Sequence, residues 1–110
     1  MEGFVRGDVV VVPFPFSNLS SAKRRPALVL TNHIGEDMML CQITSQSILN
    51  DLAVEIGLND IKNGTLSSIS NARPDKLFTA DKSIILYKVG ELKDEKIEAV
   101  INTIIKLLTE

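Results

Sequence analysis

Hydrophobic positions fall into short runs separated by polar residues until residue 94, after which they recur at helical spacing. Residues 9–12 are four valines and residues 27–30 read Ala-Leu-Val-Leu; both runs have the length and composition of strands. The first strand is expected over residues 9–14, opened by a turn at Arg6-Gly7-Asp8. Pro13 and Pro15 cannot donate to a ladder, so the far end of that strand is expected at an edge or a bend. Phe14 and Phe16 alternate with these prolines and are expected to pack one face of the core. Residues 17–22 are mostly small and polar, which predicts a flexible loop.

Pro26 opens the second expected strand, residues 26–31, and residues 34–37 read as a tight turn. The third, residues 38–44, returns to complete an antiparallel hairpin. In residues 51–56, Leu52, Val54 and Ile56 alternate with Asp51, Ala53 and Glu55, as a half-buried strand requires. Asn59-Asp60 and Asn63-Gly64 mark turns around a short segment. Residues 65–72 form a serine-rich candidate strand that Pro74 is expected to stop. Residues 75–79 read as a helical turn or an irregular connection. Residues 83–89 are strongly apolar and predict a further strand, with residues 90–93 leading out of it.

From residue 94 the period changes. Ile97, Val100, Ile101, Ile104, Ile105 and Leu108 recur at steps of three and four, one face of an amphipathic helix. Asp94 is the expected N-cap, and Glu95 suits the positive end of the helix. The pattern therefore predicts five or six short strands followed by one packed helix: a mainly β fold, a small antiparallel β-barrel or sheet with a C-terminal helix.

A chain of 110 residues with 45% apolar content fits a single folded domain over residues 1–110. No apolar run approaches the roughly 20 residues of a membrane span, so no membrane partner is expected and a cytoplasmic location is. The lone Cys41 cannot form an internal disulfide, in keeping with a reducing compartment, and one His with one Cys excludes a Cys/His zinc site. The net charge is −2, which does not advertise nucleic-acid binding by the whole chain. Placement changes the picture: between residues 9 and 35 the only formally charged side chains are Lys23, Arg24 and Arg25. A small basic patch on an acidic body fits a local phosphate contact, and fits an ordinary solvated loop equally well. Arg25 stands where a loop becomes a strand, because Pro26 biases it to an extended backbone. A guanidinium fork held at the rim of a sheet suits a phosphate or a carboxylate.

Three stretches carry a resemblance: residues 7–16, beginning Gly7-Asp8-Val9-Val10 and ending Pro13-Phe14-Pro15-Phe16; Arg24-Arg25-Pro26-Ala27-Leu28-Val29-Leu30; and Ile43-Thr44-Ser45. Together they resemble the MazF/PemK family of toxin endoribonucleases. Asp75-Lys76-Leu77-Phe78-Thr79 and the closing helix match in character and order, so the likeness covers nearly the whole chain. It implies an SH3-like barrel that forms a homodimer and cleaves single-stranded RNA with no metal or other cofactor. It also implies a cognate antitoxin protein that neutralises the toxin and joins it in DNA binding. The family's catalytic Arg falls on Arg25 and its catalytic Thr on Thr44. Lys23 and Arg24 fall in the loop that closes over RNA or is displaced by antitoxin. Arg73, Lys76 and Thr79 fall in a less closely matching segment, from which Arg73 and Lys76 are carried over as RNA contacts; the resemblance assigns no place to Pro74.

The residues themselves bound the chemistry. Arg25 stays protonated, so stabilising charge on a phosphate comes first, with acid/base duty implied only by the resemblance. The Thr44 hydroxyl can orient a phosphate oxygen or a ribose 2′-hydroxyl; a threonine chosen for strand propensity is the plain alternative. His33, the only imidazole, follows a strand at a turn and is expected at the surface or an interface. Ser45 and Gln46 follow Thr44 and are candidate base contacts. Two other readings stay open: a CcdB-like toxin that binds a protein such as DNA gyrase, and a non-catalytic SH3-like binding module.

Overall fold

A computed structural model of the chain describes residues 3–14, 23–31, 36–45 and 52–110. The expected loop at residues 17–22, Pro15, Phe16, His33, residues 34 and 35 of the expected turn, Gln46 and the side chain of Phe14 lie outside what is described. Seven strands and one helix follow in order: β1 (Asp8–Phe14), β2 (Lys23–Val29), β3 (Asp37–Thr44), β4 (Val54–Ile56), β5 (Ile61–Lys62), β6 (Ser70–Asp81), β7 (Tyr87–Leu92) and α1 (Asp94–Thr109). They build a nearly closed antiparallel barrel with strand order β4-β6-β3-β2-β1-β7-β5. The mainly β fold with a C-terminal helix is therefore as the hydrophobic pattern predicts.

Both faces of the central strands are buried, which explains why residues 9–12 and 27–30 are unbroken apolar runs without alternation. Val9, Leu28, Cys41 and Ile43 face one core, which α1 covers with Val100, Ile97 and Ile104. Val10, Val12, Ala27, Val29 and Leu40 face a second core, covered by Phe4, Ile84 and Ile85. Burying a Val or Leu fully is worth about 1.5–3 kcal/mol, so these strands anchor the fold.

The Arg6-Gly7-Asp8 turn ties β1 to its surroundings. Gly7 adopts φ +98°, and a Cβ there would lie 2.6 Å from Ile97 Cδ1 of the helix. The nearly buried Asp8 accepts from the Val5 amide at 3.0 Å and pairs with Lys88 on β7 at 3.2 Å. Arg6 Nε donates to the Leu30 carbonyl at 2.8 Å. Gly64 packs against the middle of β7, where any Cβ would collide with the Val89 carbonyl.

Several expectations need correction. The strands number seven among the described residues, because residues 61–62 pair with β7 as β5. Residues 65–69 are not strand, and β6 begins at Ser70. Pro74 does not stop that strand, and residues 75–79 are not a helical turn: β6 runs from Ser70 to Asp81 and carries Pro74 in a bulge. Residues 82–84 form a 3-10 turn rather than strand, and β7 extends to Leu92 through the segment expected to be a connection. The N-cap is Lys93, whose carbonyl accepts from Ile97 at 3.0 Å; Asp94 is the first helical residue. Ile105 and Leu108, expected on the packed face of the helix, are 52% and 74% exposed.

Candidate active site

The register brings the site together. β2 and β3 pair as Val29–Leu40, Leu28–Cys41 and Ala27–Gln42, where the ladder ends. The amide of Leu30 donates to the Met39 carbonyl at 2.9 Å, which fixes the residues of β2 whose amides aim at β3. Hydrogen-bonded pairs alternate along an antiparallel ladder, so the next ones are Leu28–Cys41 and then Pro26–Ile43. Pro26 has no N–H to give, and that pair loses one of its two bonds. The ladder therefore ends here for a chemical reason. β2 nonetheless stays paired to β1 as far as Lys23, and β3 to β6 as far as Thr44.

A cleft of about 190 Å³ opens where the two strands part, and its lining includes Arg24, Arg25, Thr44 and Ser45. Continued by two residues past Ala27–Gln42, the β2–β3 register sets Arg25 opposite Thr44, on the same face of the sheet. Arg25 is half-buried and Thr44 nearly buried. No ion pair holds Arg25 among the described residues. Its charge therefore remains available to an anion in the cleft.

The cleft's third wall was not foreseen. Leu66, Ser67, Ser68 and Ser70 line it, and Ser70 Oγ donates to the Ser68 carbonyl at 3.1 Å. The signal in the sequence is the serine run after Asn63-Gly64, whose composition suggests a strand and no site.

The remaining predicted site residues divide. Arg24 lines the cleft and Ser45 joins it at the end of β3. Lys23 is exposed opposite Phe14 at the start of β2 and is not part of the cleft lining. Arg73 and Lys76 belong to β6, beyond β3. There Gln42 pairs with Arg73 and Cys41 with Leu77, so Pro74, Asp75 and Lys76 form a three-residue bulge. Gln42, Thr44, Asn71 and Arg73 share one face with Arg25, by the alternation of strand side chains. Lys76 is exposed in the bulge.

Arg73 is held in a two-bond fork: Nε donates to Asp75 Oδ1 at 3.1 Å and one terminal nitrogen to Oδ2 at 3.0 Å. The hydrogen bonds to Asp75 raise the guanidinium's pKa, and those from Arg73 hold the Asp75 carboxyl below its usual range. Cys41 Sγ donates to the Arg73 carbonyl at 3.1 Å. Burial pushes the Cys41 thiol up to about 12, so it is a weak donor and no nucleophile at neutral pH.

A larger hollow of about 330 Å³ lies between Leu52 and the end of α1, where Lys106 shares the lining with Glu110. Its one described hydroxyl, on Thr103, already donates to the Ala99 carbonyl at 2.8 Å, and the Glu110 carboxylate faces the same space as Lys106, unlike the β2–β3 cleft, whose described lining holds two arginines and no carboxylate. Among the described residues no group of three His, Cys, Asp or Glu side chains is placed to hold a metal ion. No helix among them is long and apolar enough to cross a membrane.

No curated protein matches the chain in sequence. Solved structures share its fold throughout. MazF of Deinococcus radiodurans aligns over 100% of both chains with a TM-score of 0.78 at 21% identity. A MazE–MazF structure from the same organism aligns over 99% of this chain and 98% of that one, with a TM-score of 0.76 and 19% identity. An endoribonuclease solved with its cognate antitoxin, from a mycobacterial species, covers 98% and 95% with a TM-score of 0.72 at 16% identity. The model of PemK-like, MazF-like toxins of type II toxin–antitoxin systems matches residues 5–108, and the chain belongs to that family.

Proposed function

We propose that the protein is the toxin of a toxin–antitoxin pair and cuts single-stranded RNA in the cleft where β2 and β3 part. The observation that carries this reading is the shared cleft of Arg25 and Thr44, opened by the missing amide of Pro26. RNA brings its own nucleophile. The 2′-oxygen bonds to the adjacent phosphorus, the bond from phosphorus to the 5′-oxygen breaks, and the products are a 2′,3′-cyclic phosphate and a 5′-hydroxyl. The proton leaving the 2′-oxygen passes to solvent, and the departing 5′-oxygen takes one up.

Arg25 donates to the phosphate oxygens as negative charge builds on them, and one such donor is worth roughly 10²–10³ in rate. The Thr44 hydroxyl orients the phosphate or the 2′-hydroxyl. Arg24 and Ser45, both on the cleft lining, contact the strand on either side. No step needs a metal ion.

Family membership supports a separate antitoxin chain as partner, and the antitoxin complexes of the Deinococcus and mycobacterial proteins point the same way. A homodimer is part of the proposal, tested by light scattering at micromolar concentration; a monomer there would contradict it. The catalytic reading is tested by incubating purified protein with single-stranded RNA in EDTA. Fragments are expected whose 3′ ends resist phosphatase until acid opens the cyclic phosphate, and whose 5′ ends accept label from kinase directly. Absence of cleavage, or cleavage only when metal is restored, overturns the reading.

A further inference from the structure

The bulge of β6 builds a second recognition element beside the cleft, and we propose that the Arg73–Asp75 pair reads a guanine base one nucleotide from the cut phosphate. This rests on the RNA reading above and names part of the sequence that the site selects. Thr44 pairs with Asn71, so Arg73 is Thr44's diagonal neighbour across the β3–β6 ladder. Such neighbours lie roughly 7–8 Å apart, a span that one extended nucleotide step covers. Arg73 also shares the face of Arg25, Gln42 and Thr44. A strand whose phosphate sits at Arg25 and Thr44 therefore delivers a neighbouring base to Arg73.

The pair is built to be rigid. The fork to Asp75 fixes the guanidinium plane at 3.1 and 3.0 Å, with the two side chains only 18% and 26% exposed. Pro74, fully buried between them, locks the backbone of the bulge. Cys41 holds the Arg73 carbonyl from the neighbouring strand at 3.1 Å. Little order remains to be imposed when a ligand arrives, which favours selectivity.

Charge and geometry decide between base and phosphate. Asp75 already neutralises Arg73, and a phosphate drawn to this guanidinium would meet the carboxylate beside it. A neutral base meets no such opposition. Two of the five guanidinium N–H groups go to Asp75, which leaves three, including a parallel pair on the outer edge. That edge complements two adjacent acceptors, the O6 and N7 of guanine. Arg25 and Arg73 thus divide the work: the unpaired cation takes the phosphate and the paired one the base.

The test uses eight-nucleotide 2′-O-methyl RNA strands, which cannot be cut, so it stands whether or not the protein is a nuclease. Each strand carries one guanine, one 7-deazaguanine, or one adenine, cytosine or uracil at the same position, scanned along the strand. Affinity is read by fluorescence anisotropy. The wild-type chain is expected to favour guanine over 7-deazaguanine by roughly 10-fold or more at one position. Arg73→Lys keeps the positive charge but loses the fork, and is expected to remove that preference. Asp75→Asn is expected to reduce it. A thermal melt of each variant separates loss of selectivity from loss of fold, because unfolding removes binding to every strand alike. Equal affinity of the wild type for all five bases, a preference for cytosine, or a guanine preference that survives in Arg73→Lys overturns the proposal. Absence of RNA cleavage in the EDTA assay counts against the nuclease reading alone.

Discussion

Replacing Pro26 by valine tests whether the cleft exists because one backbone donor is missing. Valine is close to proline in bulk, suits a strand, and restores the N–H that points at the Ile43 carbonyl. The restored bond is worth about 0.5–1.5 kcal/mol net. Against it stands the unfolded-state entropy that proline had suppressed, about 0.4–1 kcal/mol. The two nearly cancel, so stability should change by no more than about 1 kcal/mol, or about 4–8 °C in melting temperature for a domain of this size. The site should change far more. With the ladder extended, Arg25 and Thr44 become an ordinary cross-strand pair, about 4.5 Å apart at Cα, and the gap between their strands closes. Misplacement of a positioning group by an ångström can cost about 10² in rate. Single-turnover cleavage of end-labelled RNA, run beside calorimetric melts, measures both quantities on one preparation. Loss of about 100-fold in rate with an almost unchanged melt supports the reasoning. A wild-type rate in Pro26→Val would refute it, because the missing amide would then have no bearing on the site. A fall in melting temperature beyond about 15 °C would refute it in another way, by making Pro26 a residue of the core.

Other expectations follow from the same structure. Arg25→Ala should lower the cleavage rate by roughly 10²–10³ with little change in the melt, checked by single-turnover kinetics in EDTA; an undiminished rate would remove the residue from the mechanism. Gly7→Ala puts an L residue at φ +98° and a methyl group against Ile97 Cδ1. A loss of about 2 kcal/mol or more is expected, read as a fall of about 8–16 °C in melting temperature. Cys41, raised to about 12 by burial, should resist iodoacetamide at pH 8 in the folded protein and react in guanidinium, as mass spectrometry would show. Asp75 has its pKa lowered in the fold, so its contribution is fully present above the unfolded carboxylate value of about 3.9 and is lost as pH falls through the lower folded value. Guanine selectivity should therefore hold unchanged from pH 7 to pH 5, measured by anisotropy on the same strands; a decline within that range would point to another group.

The sequence revealed the central strands and the helix because their signals are local. Four valines, an Ala-Leu-Val-Leu run and apolar steps of three and four each state a period within a few residues. It also pointed to Arg25 and Thr44, through the family resemblance and through the basic cluster before Pro26. The part between residues 58 and 92 read poorly. β5 is two residues long, and its pairing with β7 depends on a backbone approach that Gly64 permits. No local period announces such a contact. The apolar residues 84–86 looked like strand, yet Ile84 and Ile85 cap the second core from an irregular segment.

The two prolines show most sharply where a reading from sequence stops. By one general rule, a residue without an N–H interrupts a ladder. Pro26 obeyed it and Pro74 did not. The difference lies in where each missing amide would have pointed. At Pro26 it would have pointed at a strand already in register, and its loss ends the pairing and parts the strands. Pro74 falls among three residues that β3 does not pair with, so no ladder bond was there to lose and β6 continues through it. The direction of an amide depends on register, and register is set by distant residues, among them the Leu30–Met39 bond and the pairing of Cys41 with Leu77. A proline is thus legible as a constraint before it is legible as an effect. In this chain one proline opens a cleft beside Arg25 and the other stiffens the bulge that holds Arg73, and these are the two arginines on which the proposed RNA site rests.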